Sequence, residues 1–347
     1  MPRLDYAIGV DLGGTTVKAG LVTSAGKIVA QTKVPTLGEQ GANVVIQQIR
    51  KSIQEVLIHT KGKNLCGIGI GSPGIVDDKR GIVKDPPNIR NWHIVTLGEK
   101  IQKAFNLPVK VENDANVAAI AEAKFGAGKH HSNFLFVIWG TGVGGGIILD
   151  GKIFRGAFGG AGEVGHVSID FNGARCNCGA KGCVEAYVGQ RHLSQRTIER
   201  LKNQPSSKIL SFIGGDISKL EPKYISQAAL SGDKLAREIF TEAGTLMGVA
   251  LGGVMNVVDL RVIIIGGGLS ASGKFVFDAV KKSVQAHVLK PLQKDIKVLP
   301  AKLGNSAGIL GAAGLVLLLK NCKMTRLQDY KIGTLQDFKI MYICVDE

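Results

Sequence analysis

The sequence predicts an α/β protein of two domains around a cleft, and three observations carry that reading. Three short β-branched runs separated by tight turns open the chain at Tyr6, and the same pattern recurs at Phe134, so the chain holds two similarly built halves about 130 residues apart. Between and beyond these units, apolar residues recur at helical spacing. Glycine accounts for 47 of the 347 residues with no collagen-like period. That is about twice the ordinary ~7%, so many backbone positions need positive φ or a close approach to something. At roughly 100–200 residues per domain, the length accommodates two domains.

The elements follow in order. YAIGVDLGGTTVKAGLVTSAGKIVAQTKV, from Tyr6, reads as an antiparallel meander with turns at DLGGTT and SAG. Over residues 41–60, Val44, Val45, Ile49, Ile53, Val56 and Leu57 fall on one helical face. A strand is expected over 66–70, a loop rich in Pro, Gly and Asp over 72–92, a helix over 97–105, a strand over 108–111 and a helix from near Asn113. The second unit, FLFVIWGTGVGGGIILDGKIFRG, again places a glycine-rich turn between apolar strands. A strand over 260–265 leads into GGGLSASG, and LGNSAGILGAAGLVLLLK reads as an Ala/Gly-rich helix suited to close packing. The expected division is residues 1–115, rejoined by about 301–320, then 116–300, with 321–347 as an extension of unassigned structure.

Composition narrows the function. With 45% apolar and 20% charged residues, the chain is not intrinsically disordered. The formal charge of +15 suits a nucleic acid, a membrane surface or a polyanionic substrate equally well. No block of five Lys/Arg occurs and aromatic residues are only 5%, so a solvated basic surface without a nucleic-acid partner is expected. MPRLDYAIGV shows no leader pattern, and the longest apolar run, 307–319, is short of the ~18 residues of a membrane span. A cytoplasmic protein without a membrane partner is the expectation. Of the six cysteines, Cys176, Cys178 and Cys183 cluster, which in a reducing compartment points to a metal.

The chemistry concentrates in a few segments. Asp11-Leu-Gly13-Gly14-Thr15-Thr16 sets a carboxylate at a strand end before a glycine turn and two hydroxyls. Such a turn can cradle phosphate oxygens while the carboxylate holds a magnesium ion or its water, although a plain hairpin explains the glycines too. The second turn, Gly140-Thr141-Gly142-Val-Gly-Gly-Gly146, repeats this without the carboxylate. Neither is a Walker loop, because no Gly-Lys-Ser/Thr follows, nor a dinucleotide fingerprint, because each leads into a strand. Glu112-Asn113-Asp114-Ala-Asn116 precedes a helical run; its side chains suit helix capping, and its carboxylate suits a general base. His166, Cys176, Cys178 and Cys183 lie within 18 residues and form a Cys₃His set suited to a closed, tetrahedral structural zinc site.

DLGGT, ENDAN, GTGVGGG, GEVGH, the cysteine cluster and IIIGGGLS, in this order, make the chain resemble the ROK family of bacterial sugar kinases, over residues 6–319. The resemblance implies an actin-like ATPase (ribonuclease H-like) fold with a cleft and a structural zinc loop. It implies Mg²⁺-ATP-dependent phosphorylation of a hexose, with Asp114 as the base and Asn88, Asn113, Glu163, His166 and Glu185 on the sugar. Gly266, Gly267 and Gly268 would then contact the adenosine of ATP, and the family association would be a homodimer or higher homo-oligomer. GARC and CVEAY favour glucose, at its 6-hydroxyl; fructose, mannose, allose, N-acetylglucosamine and N-acetylmannosamine are the alternatives. Three rivals fit less well. A sugar-responsive repressor needs a helix-turn-helix ahead of the kinase-like core, and only ten residues precede Asp11. A chaperone-like ATPase has no use for the zinc loop, and a basic nucleic-acid module leaves three glycine turns unexplained.

Overall fold

A computed structural model describes residues 5–317. The expected extension over 321–347, and residues 318–320 of the returning helix, lie outside the described residues. The opening meander forms as expected: β1 (Asp5–Leu12), β2 (Thr16–Thr23) and β3 (Ile28–Pro35) pair antiparallel, with Asp11 opposite Lys18. After α1 (Ala42–Leu57), whose Val45, Ile49, Ile53 and Val56 are buried, β4 (Asn64–Ser72) joins β1 in parallel.

The stretch expected to be a loop over 72–92 is partly strand. It contributes β5 (Ile75–Asp77) and β6 (Ile82–Lys84) to a small antiparallel sheet completed by β7 (Ile94–Val95). Strands of two or three residues are too short for alternation to be read in a Pro- and Gly-rich segment. α2 (Leu97–Phe105) and β8 (Val109–Asn113) follow, and β8 runs directly into α3 (Asp114–Phe125). The first sheet is ordered β3-β2-β1-β4-β8.

The second half repeats the plan. β9 (Phe134–Trp139), β10 (Val143–Leu149) and β11 (Lys152–Phe154) form the second meander. Then comes a helical stretch that the sequence reading passed over: α4 (Glu185–Val188), α5 (Gln190–Leu201), α6 (Lys208–Phe212), α7 (Pro222–Leu230) and α8 (Lys234–Val258). β12 (Val262–Gly266), α9 (Lys274–His287), β13 (Lys297–Pro300) and α10 (Ala307–Leu317) end the described chain. The second sheet, β11-β10-β9-β12-β13, has the same pattern as the first: three antiparallel strands, then two added in parallel.

α3 and α10 lie between the sheets. Their apolar residues Ala118, Ile309, Leu310 and Ala313 share one core with Phe134 and Phe136 of the second sheet and Ala7 of the first. Glycines permit this layering. A Cβ at Gly9 or Gly69 would overlap the carbonyl of Ile309 or Ala312 on α10, and one at Gly311 would overlap the carbonyl of Val117 on α3. Glycine also sets the α8–α9 contact: Gly244, Gly248 and Gly252 form a stripe on which Val276, Val280, Ser283 and His287 rest. α8 is long and apolar enough to cross a membrane by length and composition alone, but Ile239, Phe240, Met247 and Leu251 are buried in the second core.

Candidate active site

β8 runs directly into α3, and the local sequence fixes that joint with side-chain caps. Asn113 is the N-cap: its Oδ1 accepts from the Ala115 N–H at 2.9 Å and the Asn116 N–H at 3.3 Å. Its Nδ2 donates to the Gly74 carbonyl at 3.2 Å, which leaves one amide hydrogen uncommitted. Asp114, the first helical residue, accepts from the Ala115 N–H at 2.8 Å. It is reachable by solvent, yet protein crowds it from several sides. Burial pushes its carboxyl above the ordinary aspartate range; the Ala115 N–H opposes this, and the like charges of Asp11 and Glu163 add to it.

Beneath Asp114 lies a residue to which sequence reading gave no role. Glu112 is buried, and its Oε1 accepts from the Asn113 N–H at 2.9 Å and from Asn116 Nδ2 at 3.0 Å. Its Oε2 takes Arg155 Nε at 2.7 Å, and Arg155 also reaches Asp78 at 3.2 Å. Thus a residue just after β11 in the second half pins two segments of the first. The separation of 43 residues between Glu112 and Arg155 obeys no spacing rule, so only the fold reveals the pair.

The first glycine turn is closed by the Gly13 N–H to the Thr16 carbonyl at 3.0 Å, and Thr36 clamps it with its Oγ1 on the Gly13 carbonyl and its N–H on the Thr15 carbonyl. Asp11 pairs with Lys18 at 3.3 Å and lies against Gly308 at the start of α10, where the helix dipole favours a negative charge. Its carboxylate is the hard oxygen donor that magnesium prefers. Asn88, in the left-handed region at φ 67°, brings its amide within van der Waals reach of the space beside Gly14. In the second turn a Cβ at Gly140 would meet nothing, and the same holds at Gly268. Packing does not demand glycine at either position, so the open space they leave can admit a ligand. Gly267, at φ 91°, is needed for packing instead, because a Cβ there would overlap the Trp139 carbonyl; Gly266 ends β12 beside Ile138.

The GEVGH segment is laid on β10 by its glycines. Gly162, at φ 96°, abuts the Gly145 carbonyl, and a Cβ on Gly165 would overlap that of Val143. In the segment so placed, His166 Nε2 lies 4.0 Å from Glu163 Oε2. The other imidazole nitrogen, Nδ1, is 3.7 Å from Cys176 Sγ, and Cys178 Sγ is 3.7 Å from Cys183 Sγ. All four ligand atoms lie within 4.8 Å of one another. A tetrahedron with ~2.3 Å metal–sulfur bonds has edges of about 3.8 Å, so the set fits zinc in size and donor type. Burial and the neighbouring sulfurs push the Cys183 thiol up to about 12 and burial raises Cys176, whereas the Ala180 N–H lowers Cys178. Glu185 follows this cluster, its Oε1 4.0 Å from Cys176 Sγ and its Oε2 accepting from the Val143 N–H at 2.8 Å.

Comparison with known proteins agrees with this architecture. The ROK family pattern matches residues 7–318. A glucokinase of Thermotoga maritima is 36% identical, over 91% of this chain and 98% of its own. A xylose repressor of Caldicellulosiruptor bescii is 31% identical, over 89% of this chain and 77% of its own. Among solved structures, a ROK family glucokinase from Streptomyces griseus in complex with glucose and AMPPNP superposes with a TM-score of 0.78 at 37% identity, covering 89% of this chain and 98% of that one.

Proposed function

The chain belongs to the ROK family, and on that premise we propose that it transfers the γ-phosphoryl group of ATP to the 6-hydroxyl of glucose with Asp114 as general base. The observation that carries the reading is the Asp114 carboxylate itself: fixed at a helix start, accepting from its neighbour's N–H, and raised toward a useful basicity beside two other acids. Glucose bound by Asn88, Asn113, Glu163, His166 and Glu185 would direct its 6-hydroxyl at Asp114. The hydroxyl proton passes to the carboxylate as the oxygen bonds to the γ-phosphorus, and the bond from that phosphorus to the bridging oxygen breaks to release ADP.

Gly13, Gly14, Thr15 and Thr16 on one side, and Gly140, Thr141 and Gly142 on the other, would hold the phosphates with backbone and hydroxyl donors. Gly266, Gly267 and Gly268 would lie along the adenosine. Asp11 would hold magnesium, which supplies charge neutralisation on the phosphate oxygens. His166, Cys176, Cys178 and Cys183 would hold zinc; with every position filled by protein, its contribution is to order the loop carrying His166 and preceding Glu185. Closing the cleft would keep water from competing with the sugar hydroxyl. A coupled ADP-release assay over glucose, mannose, fructose, allose, N-acetylglucosamine and N-acetylmannosamine tests the assignment. Glucose should give the highest kcat/KM; equal release with and without sugar would contradict a sugar kinase.

A further inference from the structure

The residues that follow the last cysteine of the cluster are bound to the ends of the second glycine turn. Glu185 Oε2 accepts from the Val143 N–H at 2.8 Å, and a Cβ on Gly142 would overlap that carboxylate. The Trp139 indole N–H donates to the Val188 carbonyl at 2.9 Å, from a fully buried ring. The Gln190 N–H lies 3.2 Å from both the Gly140 and the Thr141 carbonyls. On its other side, the same short helix grips the cysteine loop, where the Ala174 N–H donates to the Tyr187 hydroxyl at 2.9 Å. Backbone bonds from Val184 to Val167 and from Ile169 to Gly182 close the loop onto it.

We propose that Glu185–Gln190 is a brace between the metal loop and the phosphate turn, with Glu185 the positioning residue that sets the turn's backbone donors for the nucleotide. A turn built largely of glycine has few side chains of its own to hold its shape, so the contacts at its two ends do this. The two strand ends flanking the turn, Trp139 and Val143, are each anchored by this segment. Loss of order in the cysteine loop therefore reaches the nucleotide as well as the sugar. This inference rests on the reading that Gly140–Gly142 faces the phosphates, and the test separates the two.

Amide hydrogen exchange and AMPPNP–Mg²⁺ binding, both without sugar, are measured on the full chain as purified with its metal, after chelation, and after zinc is restored. The variants are Glu185→Ala, Glu185→Gln, which keeps an acceptor for Val143, and Thr141→Val in the turn. Chelation and Glu185→Ala should both speed exchange over 139–146 while leaving 11–16 unchanged, and weaken AMPPNP by about tenfold, the scale of losing a hydrogen bond to a charged group. Zinc and Glu185→Gln should restore most of both. Unchanged exchange over 139–146, or normal AMPPNP affinity in Glu185→Ala with a weakened Thr141→Val, would overturn the brace and leave Glu185 a sugar contact alone. Normal affinity in both variants would overturn the phosphate reading, and the brace with it.

Discussion

Arg155 extends from just beyond β11 to place its Nε 2.7 Å from Oε2 of Glu112, a carboxylate 3% exposed directly beneath the Asp114 helix start. The pair ties the edge of the second sheet to the end of β8. Glu112 Oε1 also accepts from the Asn113 N–H and the Asn116 amide, so its charge is shared among three donors, while the buried Oδ1 of that same Asn116 has no hydrogen-bond partner.

Breaking that pair leaves a buried charge with no counter-charge. Arg155→Met should destabilise the fold by about 3 kcal/mol, the low end for a broken buried pair because Arg155 itself is partly exposed. Adding Glu112→Gln should recover part of the loss. Urea unfolding of the two single variants and the double variant checks this; additive losses would show that the two side chains act independently.

The acid limb of the pH profile carries a sign that can be read in advance. Burial and the like charges of Asp11 and Glu163 raise the Asp114 carboxyl, so the base is lost to protonation at a higher pH than an ordinary aspartate. The acid limb of kcat/KM should therefore stand above the ordinary range near ~3.9. Glu163→Gln removes one like charge and should move the limb to lower pH, whatever it does to sugar affinity. A limb that stays put in Glu163→Gln would show that Glu163 does not face the base.

The same shift has a stability consequence. A folded-state value raised above the unfolded one means that the native protein holds this proton the more tightly. Its contribution to stability is therefore present at low pH and lost as pH rises through the raised value. At neutral pH the ionised Asp114 is a cost, which the dipole of α3 only partly offsets. Asp114→Asn should accordingly raise Tm at pH 7, with the gain fading under acid; thermal scans at both pH values decide it.

Metal content offers an independent check on the cysteine loop. One zinc per chain should be found by elemental analysis, and Cys178→Ser should lower both zinc content and glucose affinity. Wild-type zinc and wild-type KM in that variant would make the cluster incidental.

Close packing predicts a further loss. Gly69→Ala places a methyl group into the Ala312 carbonyl of α10, a backbone atom that cannot swing away. The cost should be about 2 kcal/mol or more, as for an overpacked core, read from the urea midpoint.

Much of this architecture was legible in the sequence, for definite reasons. Two meanders with glycine turns announce themselves because strand alternation and turn chemistry are local. The capped helix start at Asn113 and the density of ligands between His166 and Cys183 are local too. What escaped is either long-range or ambiguous. Gly244, Gly248 and Gly252 read as helix-weakening residues until α9 is seen lying on them. The Ala/Gly-rich composition of α10 announces close packing, but not that Gly9 and Gly69 of the first sheet meet carbonyls of α10, nor that Gly311 meets one of α3. Glu112 reads as one more acid ahead of a cap, because its partner comes from the other half of the chain. The bonds from Trp139 to Val188 and from Val143 to Glu185 span more than 40 residues each, so they too appear only in the fold.

The central claim is that Asp114 accepts the proton of the sugar hydroxyl. Asp114→Asn keeps the shape of the side chain and the cap at Asn113 while removing the basic carboxylate. Glucose-dependent ADP release in this variant, measured alongside AMPPNP binding, is the most direct test. A fall in kcat of about 10²-fold or more, the usual contribution of a general base, with AMPPNP affinity kept near wild type is the predicted result. Turnover close to wild type would contradict the assignment.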